Sequence, residues 1–482
     1  MTILNKEIFP DKTEIFSWIE DLCQWGHRKT ATPEGKKSAE YIAGKFREFG
    51  LEDVKIEEAP TLCMDMEEYA LKIDGEDIEC FYANGTNKSD ETGTFEMGLN
   101  GEEYEFVYLN AGDENDFEGV DVKGKVVICD ILFQDLDIEK LAALYEESEI
   151  YDPNGEMKVP GRKYNIYSPG SWPFNYYNAM AGGAAGFVGI LKDYYDDPYW
   201  YNEDYEGIAN PKDVTYMSLP AMWISRSTGE MLKEKLAQKK LMGNMKMKTT
   251  YAYKTALNVC GKLPGKSPEM IVTHSHHDAV FQGAVQDASG ISTMLSLAKY
   301  FSQIPAEQRE KTMMFAATDT HYTDYNGHIE FIKERAKLGE EILIDLSIEH
   351  IGEDIYFDDD YNECKAGGVE PRIAYITDVP GLQDIVKETF KKYELTKTIF
   401  AKVHAGNANL EGAMFEEYEY SDAEVISDAC CFHATGTPVV SIVSSPMYLY
   451  HPSDTPARIM PEYIEKIGMA YAEIAVKVAD IM

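Results

Sequence analysis

From residue 256 onward, short apolar segments alternate with amphipathic segments, and this alternation constrains the fold more than any other feature of the sequence. The apolar segments are typical of buried strands and lie at 270–275, 311–318, 341–352 and 437–445. The helix-like segments have apolar residues at helical spacing and lie at 290–304, 327–337, 379–394 and 461–482. Strands that alternate with helices in this way predict an α/β fold, with a mixed, mostly parallel sheet sandwiched by helices.

The first 250 residues divide into two parts of different character. Residues 12–58 predict two helices and a short strand, with Thr32 as N-cap and Pro33 in the first position of the second helix, and Gly50 after its end. Residues 65–250 are rich in tyrosine and acids and contain short strand-like segments, which predicts an inserted domain. We therefore predict an α/β domain from 1–64 and 251–482, interrupted by an insert at 65–250.

Ionisable residues follow each predicted strand of the α/β part. In chain order these residues are His276, His277 and Asp278, then Asp319, His321 and Tyr322, then Glu349 and His350, and finally His451 and Asp454. Ligands of open α/β sheets bind beyond the carboxyl ends of the strands. Four strand ends that all carry such groups predict one functional site at this edge.

The mixture of imidazoles and carboxylates indicates a metal site. Such ligands suit zinc, manganese, iron or cobalt. We expect His276 and His451 to bind the metal, and Asp278 to orient the ring of His276 as a neighbouring carboxylate commonly does. For His274 and His277 we expect packing or hydrogen bonding instead.

Several segments resemble, in order and at matching separations, the motifs of the co-catalytic zinc aminopeptidases, a family that includes glutamate carboxypeptidases and glutaminyl cyclases. These segments are "NVCGKLPGKSPEMIVTHSHHD", "GAVQDASGIS", "MMFAATDTHYTDYNG", "LSIEHIG" and "YHPSDTPARI". The resemblance implies a zinc-aminopeptidase-like fold for the α/β part. It also implies that the insert, with "YNAMAGGAAGFVGIL" and "LPAMWIS", is a β-rich protease-associated-like domain.

Residue by residue, part of the family site is intact. The resemblance places metal ligands at His276, Glu349 and His451, with Asp278 as the orienting carboxylate. Three positions depart from the family pattern. Gln286 stands where the resemblance implies a bridging aspartate, with Asp287 one position later. His321 and Tyr322 stand at the two glutamates that would act as general base and as ligand of a second metal.

These departures change the chemistry that the site can support. A glutamine offers one neutral oxygen and cannot offset the repulsion between two dications, so we expect one zinc ion rather than two. His276 and Glu349 would hold it together with Asp287 or His451. The ordinary pKa of histidine lies near neutrality, so His321 can act as a general acid or base, paired with Tyr322. The alternative is that His321 only forms hydrogen bonds beside Asp319 or Asp324.

Composition limits the partners and the compartment. The 482 residues carry 84 acids and 45 bases, a formal net charge of −39, which argues against nucleic-acid and anionic-membrane partners. We find no apolar run long enough to cross a membrane and no signal-like start. Eight scattered cysteines without a CxxC pair predict free thiols and a cytoplasmic protein. The insert and the last helix are both candidate contacts of a homo-oligomer.

Three functions remain open from the sequence. The first is a metal-dependent hydrolase of an amide or peptide bond in a small-molecule or short-peptide substrate. The second is a non-hydrolytic enzyme on the same scaffold, catalysing acyl transfer, cyclisation or elimination. The third is a catalytically silent binding protein. The aromatic loop 193–207, with Tyr199, Trp200 and Tyr201, either covers the site or packs on its own domain.

Overall fold

The computed structural model describes residues 5–135, 137–145, 147–157, 165–202, 216–406 and 424–482. Within these ranges the α-helices are α1 (Lys12–Cys23), α2 (Pro33–Glu48), α3 (Ile138–Ala143), α4 (Phe174–Ala181), α5 (Arg226–Leu236), α6 (Ser289–Ser302), α7 (Asn326–Lys337), α8 (Leu382–Lys392), α9 (Cys430–Ala434) and α10 (Pro461–Val478). The strands of the first half of the chain are β1 (Glu52–Ile73), β2 (Glu76–Ile78), β3 (Phe81–Tyr82), β4 (Gly93–Met97), β5 (Tyr104–Tyr108), β6 (Val126–Ile131), β7 (Phe133–Asp135), β8 (Ser148–Tyr151), β9 (Asn165–Pro169), β10 (Gly186–Leu191) and β11 (Ala221–Ser225). The later strands are β12 (Leu241–Leu263), β13 (Ser267–His276), β14 (Lys311–Thr318), β15 (Ile342–Ile348), β16 (Glu353–Phe357), β17 (Glu363–Val369), β18 (Arg372–Thr377), β19 (Thr398–Val403) and β20 (Val439–Ser444).

The central sheet confirms the predicted fold class. Its order through the α/β part is β12-β14-β13-β15-β20-β18-β19-β8. The four strands β14, β13, β15 and β20 are parallel, whereas β12 and β18 run antiparallel to their neighbours β14 and β20. The predicted helices α6, α7, α8 and α10 are all present.

Helices cover both faces of this sheet. Successive side chains of its strands point to opposite faces, and both faces are apolar. In β14, Phe315 belongs to the larger core cluster and its neighbour Met314 to the smaller one. The larger cluster includes residues of α1, α2, α6, α8 and α10, whereas the smaller includes residues of α7 and α9. A strand that is buried on both faces has a largely continuous apolar sequence, and this pattern makes these strands recognisable from the sequence.

Two long strands differ from the sequence-based expectation. The sequence predicts only a short strand after α2, but β1 pairs antiparallel with β12 from Lys55, opposite Cys260, to Ile73, opposite Gly243. Along most of β12, buried positions alternate with partly exposed ones, so its sequence lacks the continuous apolar run of a central strand. Both strands cross the predicted limits of the insert, and β8 of the insert pairs with β19. The domain division stays a prediction.

Other expectations can be compared with the described residues directly. The Thr32 hydroxyl accepts a hydrogen bond from Gly35 N at 3.1 Å and caps α2, with Pro33 at its first position. All eight cysteines are unpaired thiols. None of the described helices is both long enough and apolar enough to traverse a bilayer.

A buried arginine fixes the loop that leaves β13. Arg28 is fully buried, and its guanidinium donates to the carbonyl oxygens of His277, Gln282 and Gly283 at 2.9, 2.6 and 2.9 Å. The backbone N–H of Arg28 also donates to Ala279 O at 2.8 Å. These bonds tie the segment after α1 to the loop at the carboxyl end of β13, where the predicted site begins.

Replacing this arginine should therefore cost stability. We expect Arg28→Met to lower the free energy of unfolding by about 3 kcal/mol, because several buried carbonyl groups lose a charged donor. Arg28→Lys should cost less, since an ammonium group can reach some of the same oxygens. Urea denaturation followed by circular dichroism measures the change.

The matched control is Arg47→Met, which alters an exposed arginine near the end of α2. Its effect should stay within about 0.5 kcal/mol. Equal stability of the Arg28→Met and Arg47→Met variants would contradict the role of Arg28 in fixing the loop after β13.

Candidate metal centre

The carboxyl ends of the parallel strands bring several predicted site residues to one place. His276 ends β13, opposite Thr318 at the end of β14. In the next strand, Ser347 of β15 pairs with His274, so Glu349 follows at the level of His276. His321 comes three residues after the end of β14, and its ring stacks on that of His276 with centroids 4.0 Å apart and planes 9° apart.

His276 has the arrangement expected of a metal ligand. Its Nδ1 lies 3.2 Å from Asp278 Oδ1. Burial alone would raise the pKa of Asp278, but the hydrogen bond and nearby imidazoles lower it, so the carboxylate is ionised and accepts the Nδ1 proton. His276 Nε2 therefore carries a lone pair. This buried atom has no hydrogen-bond partner among the described residues.

Asp278 is itself held by two donors. Its Oδ2 accepts from the Thr30 hydroxyl at 3.1 Å and from Tyr322 N at 3.3 Å. The Thr30 hydroxyl also lies 2.6 Å from Asp319 Oδ1, so it links two buried carboxylates. The predicted orienting role of Asp278 agrees with these contacts, and Thr30 is an additional residue that fixes its position.

His321 forms a histidine–aspartate pair. Its Nδ1 lies 2.8 Å from Asp428 Oδ1, and its Nε2 lies 3.0 Å from Gln286 Nε2 and 3.4 Å from Tyr450 Oη. Because an ionised carboxylate can only accept, the proton of His321 belongs on Nδ1, and Nε2 accepts from the Gln286 amide. A histidine oriented in this way can take up a proton at Nε2.

Asp428 is central to the site, and the sequence analysis does not select it. Burial alone would raise its pKa, but His276, His321 and His328 together hold the pKa of Asp428 well below the ordinary value. Its Oδ2 is buried and has no hydrogen-bond partner within the described ranges. Potential ligand atoms of His276, His321 and Asp428 all lie within 4.8 Å of one another.

Glu349 lies beside this group. Its Oε1 accepts from Asp428 N at 2.9 Å and from the Ser347 hydroxyl at 3.1 Å. Burial, together with repulsion from Asp428 and Asp287, raises the pKa of Glu349 well above its ordinary value. Glu349 is therefore a buried carboxyl group whose ionised form a nearby cation would favour.

Asp287 lies close to Glu349, but backbone and hydroxyl donors already surround its carboxylate. Its oxygens accept from the Ser275 hydroxyl at 2.6 Å and from the backbone N–H groups of Gly290 and His350, each at 3.1 Å. Burial raises the pKa of Asp287 to about 8 despite these bonds. Its contacts tie the start of α6 to the segment after β15, and its metal role stays a prediction.

His451 is engaged by the insert. Its Nε2 lies 2.9 Å from Asp197 Oδ2, and its Nδ1 lies 2.8 Å from the Ser453 hydroxyl. Its ring stacks on Tyr195, with centroids 3.9 Å apart. The three-residue ligand groups found in the described ranges do not include His451, Glu349 or Asp287. The metal role of His451 therefore also stays a prediction.

Tyr322 lies next to both stacked imidazoles and contacts two further tyrosines. The ring of Tyr322 lies 5.0 Å from that of His321 and 6.1 Å from that of His276. On its other sides it contacts Tyr450 at 5.6 Å and Tyr201 of the insert at 5.7 Å. The predicted role of Tyr322 as a partner of His321 fits this position.

The aromatic loop of the insert has both of the roles considered from the sequence. Trp200 is fully buried and packs on Phe133 and Trp223, so it belongs to the core of its own region. Tyr201 instead reaches Tyr322, and its backbone N–H donates to Tyr450 O at 3.0 Å. Residues 203–207 of the predicted loop lie outside the described residues.

Comparison with known proteins supports the fold. Residues 258–334 match the model of Peptidase family M28. The structure of BSAP, a zinc aminopeptidase from Bacillus subtilis, is similar with a TM-score of 0.65 and 18% identity over 99% of this chain and 96% of that chain. A peptidase M28 precursor from Shewanella amazonensis SB2B gives a TM-score of 0.64 and 16% identity, covering 96% of this chain and 92% of its own.

An aminopeptidase from Aneurinibacillus sp. strain AM-1 gives a TM-score of 0.58 and 18% identity, covering 98% of this chain and 95% of its own. No curated protein matches the chain by sequence. The predicted resemblance to the zinc aminopeptidase family is confirmed, and so is the fold class. At these identities the solved structures establish the fold alone.

The link from Thr30 to Asp278 generates a prediction about metal affinity. Thr30→Val keeps the side-chain shape but removes the hydroxyl that serves Asp278 and Asp319. We expect zinc affinity to fall by about 10- to 100-fold, as is usual when the group that orients a ligand is disturbed. Competition with a chromophoric chelator measures this affinity.

Thr398→Val is the control, because Thr398 is also buried and donates to Leu395 O at 3.0 Å, far along the sheet in β19. It should leave zinc affinity unchanged while losing one hydrogen bond. Equal zinc affinity of the Thr30→Val and Thr398→Val variants would contradict the role given to Thr30.

Proposed function

We propose that this protein is a metal-dependent hydrolase that cleaves an amide or peptide bond in a small-molecule or short-peptide substrate. The observation that carries the proposal is the presence of two buried atoms that could bind a metal, His276 Nε2 and Asp428 Oδ2. Neither has a hydrogen-bond partner among the residues described. They occur where a histidine–aspartate pair, His321 and Asp428, offers a proton acceptor. The match of residues 258–334 to Peptidase family M28 supports this class of reaction.

The ligand set fits a zinc-type ion. His276 would provide one nitrogen, and Asp428 and Glu349 would provide carboxylate oxygens, a mixture that suits zinc and also manganese, iron or cobalt. The shared fold with a zinc aminopeptidase favours zinc. One ion at this position is proposed, because Gln286 lacks the second anionic oxygen needed to bridge a pair there.

The protein's own residues would perform the proton transfers. When bound, the metal ion would polarise the substrate carbonyl and make a water molecule more acidic. Asp428 keeps the proton of His321 on Nδ1, so Nε2 can accept the proton of the attacking water and return it to the leaving amine. Asp278 orients His276. The rings of Tyr322 and Tyr201 would restrict the access of bulk water.

A second candidate function is proton transfer to or from carbon, as in cyclisation or elimination. The neutral neighbours of His321 Nε2, Gln286 and Tyr450, favour this alternative, because neither competes electrostatically for a carbon-bound proton. Fold likeness does not separate the two reactions. The eight free thiols support a reducing, cytoplasmic location under either function.

The test combines product analysis with metal analysis. Zinc-reconstituted protein is incubated with dipeptides, aminoacyl amides and peptides that begin with glutamine, and the products are weighed by mass spectrometry. We expect two fragments whose masses together equal that of the substrate plus one water molecule. His321→Gln should lower kcat by about 10²- to 10⁴-fold with zinc retained, because it removes the general base.

His276→Gln should instead reduce the zinc content of this site, which separates loss of the ion from loss of the base. His404→Gln is the control, since His404 is exposed and pairs with Glu424 away from the site. Loss of ammonia without gain of water would support the cyclisation alternative. A zinc-loaded protein that converts none of these substrates would favour the silent binding protein.

A further inference from the structure

A second group of buried polar side chains lies on the other side of Asp428. It consists of His274 in β13, Thr318 at the end of β14, His328 in α7 and Asp345 in β15, and each is fully buried. The His274 ring lies 5.3 Å from that of His328. Helices α7 and α9 cover this face of the sheet with apolar side chains. The proposed hydrolysis uses none of these four residues.

The potential metal-ligand atoms of this group are close enough to bind one ion together. Potential ligand atoms of His274, His328 and Asp428 all lie within 4.8 Å of one another. His328 Nε2 is 3.5 Å from Asp428 Oδ1. Two ligands on a tetrahedral zinc ion with bonds of about 2.1 Å lie roughly 3.4 Å apart, so this pair already has the required spacing. The Thr318 hydroxyl lies 2.9 Å from His274 Nε2 and 2.8 Å from His328 Nε2.

Hydrogen bonds within the group leave much of its polarity unsatisfied. Across the described parts of the chain, no partner is found for His274 Nδ1, His328 Nδ1 or either carboxylate oxygen of Asp345. Asp345 Oδ2 lies 3.7 Å from His274 Nδ1. Burying carboxylates and imidazoles without partners costs several kcal/mol, so such a group needs a compensating charge or ligand.

Asp345 also has the position of a carboxylate that orients a metal-binding histidine. It faces Nδ1 of His274, while Nε2 of the same ring points toward Thr318 and the space shared with His328. A carboxylate behind a ligating imidazole is the usual way in which proteins fix the tautomer of that imidazole. Asp278 lies on the corresponding side of His276 at the first site, at the shorter distance of 3.2 Å.

We propose that His274, His328 and Asp428 form a second binding site for a divalent cation of the zinc type, with Asp345 orienting His274. The bridging role of Asp428 rests on the proposed function, since it requires that Asp428 also bind the first ion. A carboxylate has about four lone-pair positions on two oxygens, which is enough for two ions and one imidazole. Asp428 would thus supply, from the segment before α9, the bridging charge that Gln286 lacks.

The experiment titrates the metal-free full-length protein with cobalt(II) and with zinc. Cobalt absorption bands report how many ions bind and how they are coordinated, and elemental mass spectrometry counts the zinc retained after gel filtration. We expect two equivalents in the wild type. We expect about one in His328→Gln and in His274→Gln, and about one in His276→Gln. Asp428→Asn should weaken both binding steps.

The control variant is His433→Gln. His433 is also buried, but it lies in α9 and bonds to His404 O, outside both groups, so the variant should keep two equivalents. Near-ultraviolet circular dichroism of each metal-free variant checks that it folds. The two-step cobalt titration of the wild type tests the stoichiometry without any substitution.

The outcomes separate this site from the proposed function. One equivalent in the wild type that is lost in His276→Gln but kept in His328→Gln would overturn the second site and leave the hydrolase proposal intact. One equivalent lost in His328→Gln but kept in His276→Gln would support the second site and overturn the first. A wild type that binds no ion would overturn both.

Discussion

The interaction on which the rest of the site depends is the contact of the Asp428 carboxylate with several imidazoles. A buried carboxylate is stable only when it is paired and hydrogen-bonded. One oxygen of Asp428, Oδ1, meets this condition through His321 at 2.8 Å, with His328 Nε2 3.5 Å away, and the ionised carboxylate in turn defines the tautomer of His321. Its backbone N–H also donates to Glu349. A single residue therefore connects the groups that follow β14 and β15 with helix α7.

Residues of the predicted insert contact residues of the predicted site. Asp197 pairs with His451, and Tyr201 places its ring against Tyr322. The backbone bond from Tyr201 to Tyr450 fixes this arrangement. Tyr322 in turn lies against the ring of His321, so the loop of the insert packs close to the stacked imidazoles. The long strands β1 and β12 hold the insert in this position, because they run without interruption from one part of the chain to the other.

The sequence allowed the central fold to be predicted where burial is two-sided. β14 and β20 are mainly apolar and β13 has an apolar centre, so the pattern alone predicts that these segments are strands. β12 is not predicted as one long strand, because its buried and partly exposed positions alternate; only its end, from residue 258, belongs to a segment that resembles the family. His276, Asp278 and His321 were found by one rule, since each follows a parallel strand. Asp428 is not predicted by its position after a parallel strand, because it precedes a helix and lies 79 positions beyond Glu349.

Gln286 stands where the family resemblance implies a bridging acid, and its surroundings show what an amide does there. Burial raises the pKa of Asp287, and burial together with repulsion from Asp428 and Asp287 raises that of Glu349, so the ionised form of each carboxyl group is already disfavoured here. A further carboxylate at Gln286 would add to this repulsion. As an amide, Gln286 instead donates to His321 Nε2, which an ionised carboxylate could not do. An amide at this position thus orients His321, the proposed base, and Asp428 is the carboxylate around which the proposed cations would bind.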